Sequence, residues 1–113
     1  MLTIRKEQLE ILSKVVEISF KESTVEFIKE KHPSETNERS DIELMEFIEK
    51  GILKAEKHNI IERADISTFI EYMILYGDDF DANSEYSWAR KVFRIVNLTG
   101  KEKIQRLLTK QPL

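Results

Sequence analysis

In residues 69–88, FIEYMILYGDDFDANSEYSW, an apolar run stops at Gly77 and gives way to a short acidic loop. Phe69, Ile70, Met73 and Ile74 recur at the three- and four-residue intervals that place side chains on one face of an α-helix. Most of the chain's aromatic residues, its acidic cluster and its only Trp lie in or beside this stretch. The spacing predicts a helix from about Glu62 to Tyr76, with Ile66 joining the apolar face and Gly77 as its stop.

The same periodicity extends in both directions. Only three Gly and two Pro punctuate 113 residues, and the β-branched residues fall at helical rather than alternating spacing. The chain is therefore expected to be all-α, one domain over residues 1–113, folded as a compact bundle of about five helices. Short linkers favour antiparallel neighbours. A chain of this length buries roughly 65% of the surface it exposes when unfolded. With 41% hydrophobic and 35% charged residues it has the balance of a packed core under a solvated exterior, not that of a disordered chain.

Towards the N-terminus, Thr3 is a candidate cap for a first helix running to about Lys31, with Leu9, Leu12, Val16 and Phe20 in one stripe and Ile11, Val15 and Ile18 broadening it. Ser23 and Thr24 leave open whether this helix is one or two. Pro33 is expected to end it, because proline disfavours helical geometry at His32. The apolar-free run PSETNER, residues 33–39, reads as a surface loop. Ser40 and Glu43 then form a capping box for a second helix carrying Ile42, Met45, Ile48, Ile52 and Ala55, with Leu44, Phe47 and Leu53 alongside. Asn59 is its expected left-handed stop. Beyond the acidic loop, a fourth helix is expected over about Glu85 to Val96, with Trp88, Val92, Ile95 and Val96 inward. Thr99 and Glu102 form another capping box and open a fifth helix with Ile104, Leu107 and Leu108 inward, fraying near Pro112.

The composition narrows the function classes. A formal charge of −3, from 18 basic and 21 acidic residues that alternate along the chain, argues against a nucleic-acid surface. The locally basic run of Arg90, Lys91, Arg94, Lys101, Lys103, Arg106 and Lys110 has a solvated helix face as its default reading. The absence of Cys excludes disulfides, thiolate metal sites and a Cys nucleophile. No stretch approaches the roughly 20 apolar residues of a membrane span, and the N-terminus has no apolar signal core. A cytoplasmic protein is expected.

Within the acidic loop, Asp79-x-Asp81-x-Asn83 imitates the first three ligands of a calcium loop. The imitation fails at Ser84, where the sharp turn requires Gly, and at Arg90, where a bidentate Glu would close the site. No metal and no cofactor are expected. A structural reading accounts for the same residues: Asp and Asn bond their own backbone in turns, and carboxylates favour helix starts. Phe80 and Trp88 are expected to pin the loop to the core, and Asp81 to hold free amides at the start of the fourth helix. His32 and His58 each sit beside Lys at a helix end, without the i, i+4 partner of a helical zinc site, and read as capping or solvent residues. Glu43, Glu46 and Glu49 have acid–base spacing but the pattern of a solvated face. No triad motif or phosphate loop accompanies them, so the chain does not read as an enzyme.

The remaining functional reading is protein binding. Tyr and Trp combine a large apolar body with a polar tip, which suits them to interface anchoring. Tyr76, Phe80, Tyr86 and Trp88 are the candidate apolar contacts, and Asp78, Asp79, Asp81 and Glu85 the candidate charges that select a basic partner. Two rival readings stand beside it: a cation-responsive regulatory module built on the acidic loop, and a homodimer formed through the first helix.

Three segments, LTIRKEQLE (2–10), GILKAEKHNIIERADISTFIEYMILYGDDFD (51–81) and SWARKVF (87–93), resemble a family of small bacterial helical proteins associated with type VI secretion effector genes. The middle segment has that family's order of helix, Asn or Gly stop, helix, then glycine before an acid-Phe-acid turn. Ile61 departs from the pattern where a small capping residue is expected. The resemblance implies an accessory role, as adaptor, chaperone-like partner or immunity protein of a secreted toxin, and assigns no catalytic residue.

Overall fold

The computed structural model describes residues 6–110, with side chains from Ile18 onward. Thr3, Pro112 and the side chains of Leu9, Ile11, Leu12, Val15 and Val16 lie outside that range. Among the described residues the chain is all-α, with five helices of seven residues or more and one single-turn helix. They are α1 (Lys6–Lys31), α2 (Pro33–Thr36), α3 (Asp41–Lys57), α4 (Arg63–Tyr76), α5 (Ser87–Phe93) and α6 (Gly100–Lys110), with a 3-10 turn at Ser84–Tyr86 before α5.

The first helix is unbroken. Ser23 and Thr24 donate their hydroxyls to the carbonyls four residues back, Ser19 at 2.9 Å and Phe20 at 2.7 Å, so neither competes for the helix's own amides. Pro33 ends α1 as expected, but residues 33–39 are not simply a loop. Proline lacks the amide that a first helical turn leaves unused, and Pro33 opens α2 in that position. Thr36 closes the turn, buried, with its hydroxyl on the His32 carbonyl at 2.8 Å.

Both N-caps form, and the second is a complete capping box, whereas at Ser40 only the hydroxyl half is made. The Ser40 hydroxyl accepts from the Glu43 amide at 3.1 Å. Thr99 and Glu102 satisfy each other's amides, each at 3.1 Å, and these bonds hold the Glu102 carboxyl below its usual range. Asn59 adopts the left-handed conformation, φ 63°. The amides of Asn59 and Ile60 return to the carbonyls of Glu56 and Ala55 at 3.0 and 2.9 Å, the bond pattern that closes a helix end with an αL residue. Gly77 ends α4 by a different geometry, φ 103° and ψ 159°, its amide donating to the Met73 carbonyl at 2.9 Å. At Ile61 no cap forms: the side chain is exposed, and α4 starts at Arg63 behind Glu62, whose side chain makes no capping bond.

One buried cluster runs through the bundle. α3 packs on α1 and α4, and α6 packs on α4 and α5. All five residues expected on the apolar face of α4 are buried, as is Tyr72. α3 buries Leu44, Ile48, Gly51, Ile52 and Ala55, a stripe rotated from the expected one, so Ile42 is 73% exposed and Leu53 points outward too. α5 is shorter than expected. It ends at Phe93, Val96 is 91% exposed instead of inward, and Leu108 of α6 is likewise exposed. The chain turns after Phe93, the Ile95 amide donating to the Val92 carbonyl at 3.2 Å, and brings Gly100 against the backbone at the end of α3. No helix among the described residues is long and apolar enough to cross a membrane.

Gly100 sits so close to that backbone that an added Cβ would lie 2.1 Å from the Asn59 carbonyl oxygen and 2.5 Å from Ile60 Cα. Neither atom can move without dismantling the α3 stop. Gly100→Ala is therefore expected to destabilise the fold by about 3 kcal/mol, read as a lowered urea midpoint at unchanged slope; a midpoint equal to wild type would show that the junction is looser than described.

Candidate functional site

The acidic loop follows from the stop at Gly77. Its turn is closed internally: the Phe80 amide donates to the Gly77 carbonyl at 3.3 Å, and those of Ala82 and Asn83 to the Asp79 carbonyl at 2.9 Å. Asn83 then starts the 3-10 turn, its side-chain oxygen accepting from the Glu85 amide at 2.9 Å. This is the capping task expected of Asp81, and Asn83 performs it because it stands directly before the turn.

Asp81 instead faces α3. Its Oδ2 lies 2.7 Å from His58 Nε2, and Lys54 Nζ stands 3.8 Å from its other oxygen. Only 12% of the Asp81 side chain is exposed. Burial pushes its carboxyl up, but the His58 hydrogen bond and the charges of Lys54 and His58 outweigh burial and the net shift is downward. Asp78 is bound to Lys50 through its carboxylate and to Lys54 through its backbone carbonyl. The Lys50 hydrogen bond holds the Asp78 carboxyl below its usual range.

His58 is thus no solvent residue. It is the C-cap of α3, its ring lies 4.3 Å from Phe93 and 5.9 Å from Phe69, and its carbonyl accepts from Lys103 at 3.0 Å. Lys103 is buried, with its ammonium at the negative end of the α3 dipole. Among the described residues no serine or threonine hydroxyl is bonded to the His58 ring. His32, by contrast, approaches Glu71 at 3.6 Å, far from the loop.

The eight candidate contact residues divide into four groups. Phe80 is fully buried, with Phe69 at 5.2 Å and Tyr72 at 5.7 Å between ring centres, and offers a partner no surface. Asp78 and Asp81 are committed to α3. Asp79 and Glu85 are exposed and have no cationic partner among the described residues; Asp79 takes only a long bond, 3.4 Å, from Asn83. Tyr76, Tyr86 and Trp88 are partly buried and packed on one another, Tyr76 lying 5.2 Å from Tyr86 and 5.3 Å from Trp88. Tyr72 backs them, buried, 5.9 Å from Trp88. Burial, with Tyr76 and Glu71 nearby, pushes its hydroxyl up to about 12.

The loop's carboxylates do not converge on a common point, since Asp78 and Asp81 turn to cations of α3. Among the described residues no group of three or more His, Asp or Glu is placed to hold a metal. Reading residue by residue missed Lys50, Lys54 and His58. Their i, i+4, i+8 spacing marks a stripe of two Lys and one His along α3, but its target is visible only once α3 and α4 are packed. No protein-family model, curated protein or solved structure matches this chain.

Because the folded Asp81 carboxyl ionises more readily than an unfolded one, its contribution to stability is whole at neutral pH. The contribution begins to erode as pH falls to the unfolded carboxyl's value of ~4 and is gone below the depressed folded value. Asp81→Asn is expected to cost about 2 kcal/mol at pH 7, with the gap to wild type closing in acid. Urea titrations at several pH values check this; a gap independent of pH would mean that shape, not charge, holds the contact.

Proposed function

We propose that this chain is a non-enzymatic protein-binding domain acting in the cytoplasm, with Tyr76, Tyr86 and Trp88 as its contact surface and a secreted type VI toxin or a component of its delivery apparatus as its partner. The observation that carries the reading is the aromatic cluster itself: three large rings, mutually packed and held from behind by Tyr72, yet partly open to solvent. Aromatic anchors of this kind lose little side-chain freedom on binding and dominate interface energetics.

The charge pattern of the loop gives the surface its selectivity. With Asp78 and Asp81 bound to α3, Asp79 and Glu85 are the loop carboxylates left to meet a partner, and they favour a basic one. The partner's class rests on the resemblance carried by residues 2–10, 51–81 and 87–93, which include the whole of α4, the loop as far as Asp81, and α5.

Capture of the tagged protein from its native bacterium, followed by reconstitution with the purified partner, tests this reading. Stoichiometric recovery of a type VI toxin or delivery component is expected, and Tyr86→Ala should weaken the reconstituted complex by about 2 kcal/mol, roughly thirtyfold in Kd. Recovery of the protein alone, or an affinity unchanged by Tyr86→Ala, removes the aromatic cluster from the interface. Protection of toxin-producing cells would mark an immunity protein; loss of toxin loading without loss of protection would mark an adaptor.

A further inference from the structure

Lys50, Lys54 and His58 lie one turn apart along one flank of α3, beside its buried face. Each holds the segment after Gly77 at a different point. Lys50 takes the Asp78 carboxylate, Lys54 takes the Asp78 carbonyl and stands 3.8 Å from Asp81, and His58 takes Asp81 at 2.7 Å. The loop's own backbone bonds run within the turn, from Phe80 to Gly77 and from Ala82 and Asn83 to Asp79. They shape the loop without fastening it. Fastening falls to the buried Phe80 ring and to this stripe.

We infer that the stripe is an electrostatic clamp that positions Tyr86 and Trp88 against Tyr76, so that the loop on either side of Phe80, and with it the seating of Tyr86 and Trp88, can loosen while Phe80 and the α4 core stay packed. The purpose of such a device rests on the protein-binding reading; its existence does not. The clamp is graded. The Lys50–Asp78 end is about half exposed, with side-chain exposures of 54% and 45%, and is open to screening by salt and to any agent that neutralises the Lys50 ammonium. The His58–Asp81 end is mostly covered, backed by the uncharged rings of Phe69 and Phe93 and, through the His58 carbonyl, by Lys103. Opening therefore starts at Asp78 and reaches Asp81 last. Lys50 and Lys54 act on the surface as positioning residues, through the loop.

Trp88 is the chain's only Trp, which makes its fluorescence a direct reading of the surface. Amide hydrogen exchange of residues 80–86 reads the loop, and that of residues 69–74 reads the core. In the wild-type protein, raising the salt from about 0.01 to about 1 M shortens the Debye length from ~30 to ~3 Å. The loop amides should then exchange about tenfold faster, with Trp88 emission moving to the red and the α4 amides unchanged. Lys50→Met with Lys54→Met should show the open values at low salt and no response to added salt. Asp78→Asn, which keeps the shape of the side chain, should reproduce the first part of the opening and supplies the comparison if the double variant does not fold. Loop amides that exchange only together with α4, or a wild-type loop indifferent to salt, would overturn the clamp. Either result would leave the binding reading standing, and failure to recover a partner would leave these readouts unchanged.

Discussion

The contact between His58 and Asp81 is where the elements of the bundle meet. His58 closes the end of α3 through its backbone amide, while its imidazole lies on Phe93 of α5 and near Phe69 of α4 and fixes the acidic loop through Asp81. The carbonyl of the same residue receives Lys103 of α6. Such a junction is costly to desolvate, and it holds through two polar pairs, ammonium on carbonyl and imidazole on carboxylate, with the second Asp81 oxygen left at 3.8 Å from the Lys54 ammonium. Take the carboxylate away and a mostly buried ring nitrogen loses its partner; take the lysine away and the end of α3 faces the interior with a bare carbonyl.

From this junction the character of the surface follows. A loop with Asp78, Asp79, Asp81 and Glu85 reads as strongly acidic, yet two of those four carboxylates are bound within the molecule by Lys50, Lys54 and His58, Asp78 at the surface and Asp81 mostly covered. What faces outward is an aromatic cluster edged by two carboxylates. The buried Phe80 and Tyr72 connect it to the core, so the rings of Tyr76, Tyr86 and Trp88 form the outer end of a ring network that begins at His58. An interface built there would present rigid aromatic groups whose ordering has been accomplished on folding.

How much of this was legible depended on the range of the forces involved. Local signals were reliable. The α4 face from Ile66 to Ile74, the N-caps at Ser40 and Thr99, and the stops at Asn59 and Gly77 are set by near neighbours in the chain, and each stands where the sequence placed it. Signals that depend on packing were not. The apolar stripe of α3 contains more hydrophobic positions than it can bury, and only its docking against α1 and α4 decides that Ile42 and Leu53 stay out. The early end of α5 leads into the approach of Gly100 to Asn59, a contact made 41 positions away that no local signal reveals. His58 read as a capping or solvent residue; it does cap α3, but the contacts of its ring could not be read because they lie at positions 69, 81 and 93. Within the site, the aromatic cluster could be read from helical spacing, whereas the division of carboxylates into bound and free could not.

The joint between Lys103 and the end of α3 also bears on how the protein is made. A chain emerging from its N-terminus can form α3 and α4 early, since their contacts are close in sequence. The core nevertheless stays open until Ile104 and Leu107 arrive, because these side chains cover it and Lys103 satisfies a carbonyl synthesised 45 residues before. For that interval the aromatic residues of α4 and α5 lack part of their cover. Completion therefore comes late and in one cooperative step, with a nascent chain that is most adhesive just before α6 is released.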